Sequence, residues 1–221
     1  TSAQWVYTYT ILPPTSSLPP DGGSTVNCIS DAQVVPTPPS ATNSCGDILG
    51  VTGPVIGPDP VCSGTKTFTW TFTDCTGAAT PWTYTYTINP PTFTLPADGG
   101  STVACISNAQ VVPSTPVFTN SCGVPLTLTG PVVGPDPVCS GTKTYTWTLM
   151  DCTGTTGQWV YTYTISPPTI TLPPGGGSTV ECISDAQVVP VPPVVNNSCG
   201  DPATITGPVI GADPACSGTK T

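Results

Sequence analysis

Two stretches in which threonine alternates with larger side chains dominate the pattern along this chain. In residues 65–73 every second position is threonine, and Phe68, Trp70 and Phe72 lie between them. In residues 82–88 threonine alternates in the same way with Trp, Tyr and Ile. A period of two predicts a β-strand with one buried and one wet face. The short polar segment between the stretches, which includes Asp74 and Gly77, predicts an antiparallel hairpin.

The same hairpin occurs again along the chain at a constant spacing. It recurs at 139–152 and 159–165, its second strand alone occupies residues 5–11, and only its beginning is present at 216–221. The cysteines set the period, since 105 − 28 and 182 − 105 both equal 77. We therefore predict tandem repeats with this period. The predicted boundaries are 1–12 (last strand of a preceding repeat), 13–89, 90–166 and 167–221, the last truncated before its final hairpin is complete.

The segments between the hairpins predict further short strands. Each repeat begins with Pro-Pro, at 13–14, 90–91 and 167–168, which favours a stiff, extended connector. Short strands are predicted at 93–95, 170–172, 24–29 and 49–52, with an edge strand or extended arm at 33–36. Six to seven short strands per repeat predict an all-β fold of tandem immunoglobulin-like β-sandwich repeats. The first and last residues suggest either a window out of a longer repetitive polypeptide or a subunit that borrows strands from its neighbours.

Eleven cysteines without any histidine indicate disulfide staples rather than zinc sites, and therefore an oxidising, extracellular setting. Pairing Cys62 with Cys75 is excluded, because the long strand predicted between them would hold them far apart. Within a repeat this leaves 28–62 with 45–75, or 28–75 with 45–62, and the sequence does not decide between them. Bridges between repeats are a less favoured alternative. The predicted disulfide cysteines are Cys28, Cys45, Cys62, Cys75, Cys105, Cys122, Cys139, Cys152, Cys182, Cys199 and Cys216.

Composition narrows the function further. The formal net charge is −9 with three Lys and Arg in total, so nucleic acid is not an expected partner. No apolar run is long enough for a membrane span. Without histidine there is no Ser-His or Cys-His nucleophile, and we expect no catalytic residue and no enzyme activity. No cofactor is expected. Calcium at the aspartates near repeat junctions is less favoured than a role of these residues in turns; the candidates are Asp59, Asp136, Asp213, Asp21 and Asp98.

The motifs of the repeat resemble a known family. Val-x-Cys-Ile, Asn-Ser-Cys-Gly, Cys-Ser-Gly-Thr and Asp-Cys-Thr-Gly, with four cysteines per repeat, are similar to the HYR-like (hyalin-repeat-like) repeats of Bacteroidota surface adhesins, including gliding-motility adhesins of the SprB kind. The resemblance covers essentially the whole chain. It implies export to the cell surface and a role in adhesion or gliding.

Three functional hypotheses follow. The first is a structural segment of an extracellular repetitive filament or adhesin stalk, whose partners are neighbouring repeats of the same polypeptide or filament. The second is a polysaccharide-binding module that uses Trp5, Trp82 and Trp159, and exposed tryptophans would favour it. The third is a short subunit that polymerises by donating the strand at residues 5–11 to another chain.

Overall fold

The computed structural model describes all residues from 1 to 221 and shows an all-β protein. The repeat beginning near residue 13 and the one beginning near residue 90 each contain four strands and one short 3₁₀ helix. The strands are β1 (Gly22–Val26), β2 (Gly50–Ile56), β3 (Gly64–Thr73) and β4 (Ala79–Ile88), followed by β5 (Gly99–Val103), β6 (Thr127–Val133), β7 (Gly141–Met150) and β8 (Thr156–Ile165). The 3₁₀ helices are Ile29–Gln33, Ile106–Gln110 and Ile183–Gln187.

Each of these two repeats forms one four-stranded sheet around its hairpin. The strand orders are β1-β4-β3-β2 and β5-β8-β7-β6. In the first sheet β3 pairs antiparallel with β4, with Trp70 opposite Trp82, whereas β1 pairs parallel with β4. The hairpin therefore supplies the two central strands, and the outer strands pair onto it.

The core of the first repeat lies on the face of the sheet that the alternating pattern predicts. Phe68, Trp70 and Phe72 are buried, and the threonines between them are half-buried. Ala41 and Leu49 belong to the same buried cluster, and the half-buried Leu18 packs against it. The segments that carry these residues contain isolated bridge pairs, Ser16–Asn43 and Thr42–Ile48. The all-β fold of immunoglobulin-like β-sandwich repeats is confirmed.

Several short elements differ from the prediction. The strand predicted at 24–29 ends at Val26, and the 3₁₀ helix Ile29–Gln33 follows it. Asp31 stabilises this turn because its Oδ2 accepts a hydrogen bond from the backbone N–H of Cys28, at 3.2 Å. Residues 93–95 form no strand; the side chains of Phe93 and Leu95 instead lie against Gly157.

The chain divides into two compact units, and segments of the second repeat belong to both. One unit combines Thr1–Leu95 with Pro116–Leu128 and Leu149–Gly157, and the other combines Pro96–Thr115 and Thr129–Thr148 with Gln158–Thr221. Because the first unit includes two segments of the second repeat, consecutive repeats are interlocked rather than closed.

Candidate functional site: cysteine pairs at the two ends of a repeat

The strand register places the four cysteines of a repeat in two pairs. Val26, at the end of β1, and Gly64, at the start of β3, both lie opposite Ile88, so Cys28 and Cys62 are at one end of the sheet. Thr73, at the end of β3, lies opposite Gly50, at the start of β2, so Cys75 and Cys45 are at the other end. We call these the first/third end and the second/fourth end.

The disulfides join the first/third end of one repeat to the second/fourth end of the next. They are Cys28–Cys122, Cys62–Cys152 and Cys105–Cys199, with Cα–Cα distances of 5.6, 5.5 and 5.6 Å. The sequence separations are 94, 90 and 94 residues. The first and third bridges therefore obey one rule, because each connects the first cysteine of a repeat to the second cysteine of the following one.

The expectation that bridges close within a repeat is therefore wrong, and the register explains why. Cys28 and Cys62 flank strands that are not neighbours, because β4 lies between β1 and β3. Two strand spacings amount to roughly 9–10 Å, beyond the distance that a disulfide spans. The pairing 28–75 with 45–62 would join opposite ends of a sheet whose central strand has 10 residues. Both arrangements left open by the sequence are excluded.

Side-chain oxygens hold the turns that carry the second and fourth cysteines. Asn120 Oδ1 accepts hydrogen bonds from the N–H groups of Cys122 and Val124, both at 3.0 Å. Asp151 Oδ1 accepts from the N–H groups of Thr153 and Thr155 at 2.8 and 2.9 Å. These bonds keep the pKa of Asp151 below its ordinary value, with the Thr153 hydroxyl contributing most. Both cysteines are thus presented on pre-organised turns.

The peptide connection between repeats runs beside the first bridge. The N–H of Asn89 donates to the carbonyl of Val26 at 2.9 Å, and the N–H of Ser121 donates to the carbonyl of Thr92 at 2.6 Å. Residues 89–92 therefore lead from the strand end near Cys28 to the turn that carries Cys122. The first and second repeats are joined covalently by the peptide chain and by two disulfides, and the second and third by the peptide chain and one disulfide.

Six of the eleven predicted cysteines are bonded, and the other five have free thiols in the structure. The free ones are exposed: Cys45, Cys75, Cys139, Cys182 and Cys216. The separations seen in the three bridges place the partner of every one of them outside residues 1–221. Disulfide formation by these five stays a prediction.

A buried lysine, missed by the sequence analysis, lies between an aspartate and a glutamine in the first repeat. Lys66 Nζ lies 2.7 Å from Asp59 Oδ1 and donates to Gln33 Oε1 at 2.5 Å, while Gln33 Nε2 donates to Asp59 at 3.0 Å. The Lys66 side chain is 5% exposed. The same three residue types meet in the other two repeats, at Lys143, Asp136 and Gln110 and at Lys220, Asp213 and Gln187. Their constant spacing along the sequence was the available signal.

These triads contain all three basic side chains of the protein. Hydrogen bonds from lysine and then glutamine hold the pKa values of Asp59, Asp136 and Asp213 below the ordinary value for aspartate. The Asp136 carboxylate raises the pKa of Lys143. The carboxylates considered for calcium at 59, 136 and 213 are therefore paired with an ammonium group. Asp98 Oδ1 accepts a hydrogen bond from the N–H of Val160.

The tryptophans considered for polysaccharide binding have two different environments. Trp82 and Trp159 are buried in the strand cores, and their indole N–H groups donate to the carbonyls of Pro20 and Ala97. Trp5 is 84% exposed and lies outside any strand. Neither buried ring offers a face to a sugar.

Comparison with known proteins identifies the family. The model of the HYR-like domain with 4 cysteines matches residues 16–88, 93–165 and 170–221. The chain belongs to this family. Repeats of this kind are typically non-catalytic, extracellular modules of the adhesion type, and the disulfides agree with an extracellular or secreted protein. No curated protein matches the chain. No helix in the structure has the length and apolar character needed to cross a membrane.

Proposed function

We propose that this chain is a structural segment of an extracellular repetitive filament or adhesin stalk on the cell surface, which mediates attachment or gliding. The observation that supports this role is the pair of disulfides between consecutive repeats, Cys28–Cys122 and Cys62–Cys152. A ligand-binding module needs only its own fold to be stable. Covalent bonds between neighbouring modules are instead expected in a protein whose function requires that its repeats stay mechanically connected.

The position of the aromatic rings in the sheets favours the same role. Most large aromatic side chains of the two hairpins, including Trp70 and Trp147, are buried in the core, and Tyr84 and Tyr161 are half-buried. The outward faces carry half-buried threonines, and Thr69 Oγ1 lies 3.3 Å from Thr83 Oγ1. This arrangement suits a wet outer surface that stabilises the sheet.

The test uses cells that produce the native polypeptide. An antibody against the repeats should label intact cells, and cells that lack the protein should attach to surfaces, or glide, less well. Replacing Cys28, Cys122, Cys62 and Cys152 by serine should reduce attachment although the protein is still exported. Val138→Ser is the matched control, because the Val138 side chain is fully exposed and its replacement removes no bridge, and it should leave attachment unchanged. Labelling only after permeabilisation would overturn the proposal.

A further inference from the structure

Each disulfide in the structure passes over four cysteines that are closer along the sequence. Cys28 is bonded to Cys122, which lies 94 residues away, although the next cysteine, Cys45, follows after 17 residues (45 − 28). The cysteines passed over by this bridge are Cys45, Cys62, Cys75 and Cys105, and the bridges Cys62–Cys152 and Cys105–Cys199 also pass over four each. The observed pairing therefore never joins a cysteine to its neighbour in the sequence.

Encounters within an unfolded chain favour the neighbouring cysteines instead. The probability that two residues meet falls roughly as the −3/2 power of their separation. Cys28 should therefore meet Cys45 about 13 times as often as Cys122, since the separations are 17 and 94 residues. For Cys62 the nearest cysteine is 13 residues away (75 − 62) and should be favoured about 18-fold over the bonded one, which is 90 residues away. Oxidation of the unfolded chain is expected to give mainly these local pairs.

The local pairs are incompatible with the folded repeat. Cys62 and Cys75 flank the 10-residue strand β3, and a bond between them would prevent this strand from forming. Cys28 and Cys45 lie at opposite ends of the sheet, the first/third end and the second/fourth end. Each local bridge therefore has to be broken before the sheet can form.

The order in which an exported chain enters an oxidising compartment adds to this problem. A polypeptide that emerges from its N-terminus presents Cys45 17 residues after Cys28, but Cys122 only 94 residues after it. The same delay of 94 residues separates Cys105 from Cys199 in the next pair of repeats. The first cysteine of a repeat is therefore exposed to oxidation together with a wrong partner and before the right one.

The folded repeats contain the information for the observed pairing. Asn120 holds the turn that carries Cys122, and Asp151 holds the turn that carries Cys152. The oxygens of these two side chains bind backbone N–H groups, so the turns do not depend on a sulfur–sulfur bond. Once the local pairs are opened, folding itself brings the correct sulfur atoms together.

We propose that this chain is a substrate of a thiol–disulfide isomerase, an enzyme that opens local cysteine pairs and lets the bridges between repeats form. The pairs it would act on first are the closest in sequence, Cys62–Cys75 and Cys139–Cys152. The inference goes beyond the proposed function, because it concerns how the chain matures and is tested on the purified protein. A stalk could mature without the enzyme, and a substrate of the enzyme could have no role in attachment, so either proposal can fail alone.

The proposed reaction is an exchange that needs no net oxidant. The thiolate of the enzyme attacks Cys62 Sγ in a Cys62–Cys75 bridge, which forms a mixed disulfide and releases the Cys75 thiolate. The Cys152 thiolate then attacks Cys62 Sγ, which forms the Cys62–Cys152 bridge and releases the thiolate of the enzyme. The proton that leaves the Cys152 thiol is balanced by the proton that the Cys75 thiolate takes up. One sulfur–sulfur bond exists before and after each step.

The first experiment oxidises the reduced protein in urea with diamide, removes the urea, and adds a purified, reduced isomerase with a Cys-x-x-Cys site. Mass spectrometry of linked peptides identifies the cysteine pairs at each stage. Before the enzyme is added, local pairs should exceed the bridges of the structure by about 13-fold to 18-fold, and the enzyme should reverse this ratio. Direct formation of the three bridges in urea would overturn the proposal, and so would equal rates of rearrangement with and without the enzyme.

Capture tests the contact between the two proteins. An isomerase whose second active-site cysteine is replaced by alanine should accumulate as a mixed disulfide with the locally paired chain. The chain with the three bridges of the structure is the matched control and should be captured far less, because its bridges join folded repeats. Equal capture of the two forms would contradict the proposal, since the enzyme would not distinguish local pairs from the final ones.

A variant without the nearest competing thiols tests the cause of the mispairing. Cys45→Ser with Cys75→Ser should raise the share of Cys62–Cys152 that diamide alone forms in urea by about threefold. The share of Cys105–Cys199 should hardly change. Val138→Ser, which removes no thiol, is the matched control and should change neither share. An unchanged share of Cys62–Cys152 in the double variant would show that neighbouring cysteines are not the competitors.

Discussion

The second and third repeats have closely similar sequences over most of their length but different secondary structure. In the second repeat β5 pairs in parallel with β8, and β6 occupies the other edge of the sheet. The corresponding segments of the third repeat, 176–180 and 204–210, are exposed and unpaired. The cysteine turn, the disulfide and the lysine triad of the third repeat are nevertheless formed. Asn197 Oδ1 caps the turn of Cys199, which is bonded to Cys105, and the triad of Lys220 is formed.

Some elements of this fold form without a complete hairpin, and others require it. Turns and the triad form from segments that lie close together or are held by a disulfide. The outer strands form only where the two central strands are present, because a short Gly-rich strand cannot satisfy its backbone groups alone. The following predictions test this distinction, from the largest effect to the smallest.

Removing the bridge Cys28–Cys122 should have the largest effect on stability. It closes a loop of 94 residues, for which loss of the constraint on the unfolded chain costs roughly 4–5 kcal/mol in unfolding free energy. We expect this loss for Cys28→Ser with Cys122→Ser, measured by urea denaturation with tryptophan fluorescence. Cys139→Ser should change the unfolding free energy by less than about 0.5 kcal/mol. Equal effects of the two changes would show that the bridge does not constrain the fold.

Residues 4–11 and 158–165 have the same sequence, QWVYTYTI, and truncating the tryptophan in each copy should have very different results. Trp159→Ala removes a buried ring and should cost about 3–5 kcal/mol in unfolding free energy. Trp5→Ala removes an exposed ring and should cost less than about 0.5 kcal/mol in the reduced protein. Both values come from chemical denaturation under reducing conditions. Similar losses would mean that residues 5–11 pack within their own chain.

Replacing equivalent glycines by alanine in the second and third repeats should change stability only where the sheet is formed. Gly99→Ala places a Cβ 2.5 Å from Tyr161 Cδ2 and 2.9 Å from Trp159 Cζ2, and this overpacking should cost about 1–3 kcal/mol. Gly176→Ala meets open space and should be neutral or slightly stabilising, as in other exposed segments. Thermal unfolding of the two variants provides the measurement. Destabilisation by Gly176→Ala would indicate that the third repeat has a packed sheet.

The smallest and most local effect should come from the triads, which contribute to the pH dependence of stability at acidic pH. Because their aspartates have lowered pKa values in the folded protein, they stabilise it above the ordinary aspartate pKa of about 3.9. This contribution is lost as the pH falls through the folded-state pKa. Carboxyl ¹³C NMR titration should show Asp136 and Asp213 titrating below ordinary aspartates. Lys143→Gln should raise the pKa of Asp136 and leave that of Asp213 unchanged; a joint shift would contradict independent triads.

The hairpin could be predicted from the sequence because its signal is local. Alternation over residues 65–73 and 82–88 predicted strands that the structure extends to Gly64–Thr73 and Ala79–Ile88. The alternation also identified Phe68, Trp70 and Phe72 as core residues. The 3₁₀ helices were missed, because such short segments give no helical periodicity and their main signal is one aspartate, Asp31, at a capping position.

The disulfide connectivity could not be predicted because it depends on strand order. Nothing in the local sequence shows that β1 pairs with β4 rather than with β3, and this pairing is what separates Cys28 from Cys62. The constant period of the cysteines is also compatible with both closed and interlocked repeats. The buried lysine had a signal in its spacing, but its partners Asp59 and Gln33 lie in other segments of the sequence.

The bridges between repeats also change how the protein would respond to tension. Under pull at both ends, the shortest covalent path runs from Thr1 to Cys28, crosses to Cys122, returns to Cys105, crosses to Cys199 and ends at Thr221. If every repeat unfolds, the maximum extended length along this path is about 230 Å, compared with about 750 Å for the unfolded, reduced chain. Oxidised repeats would therefore behave as a tether of limited stretch, and reduction would release more than two thirds of its length.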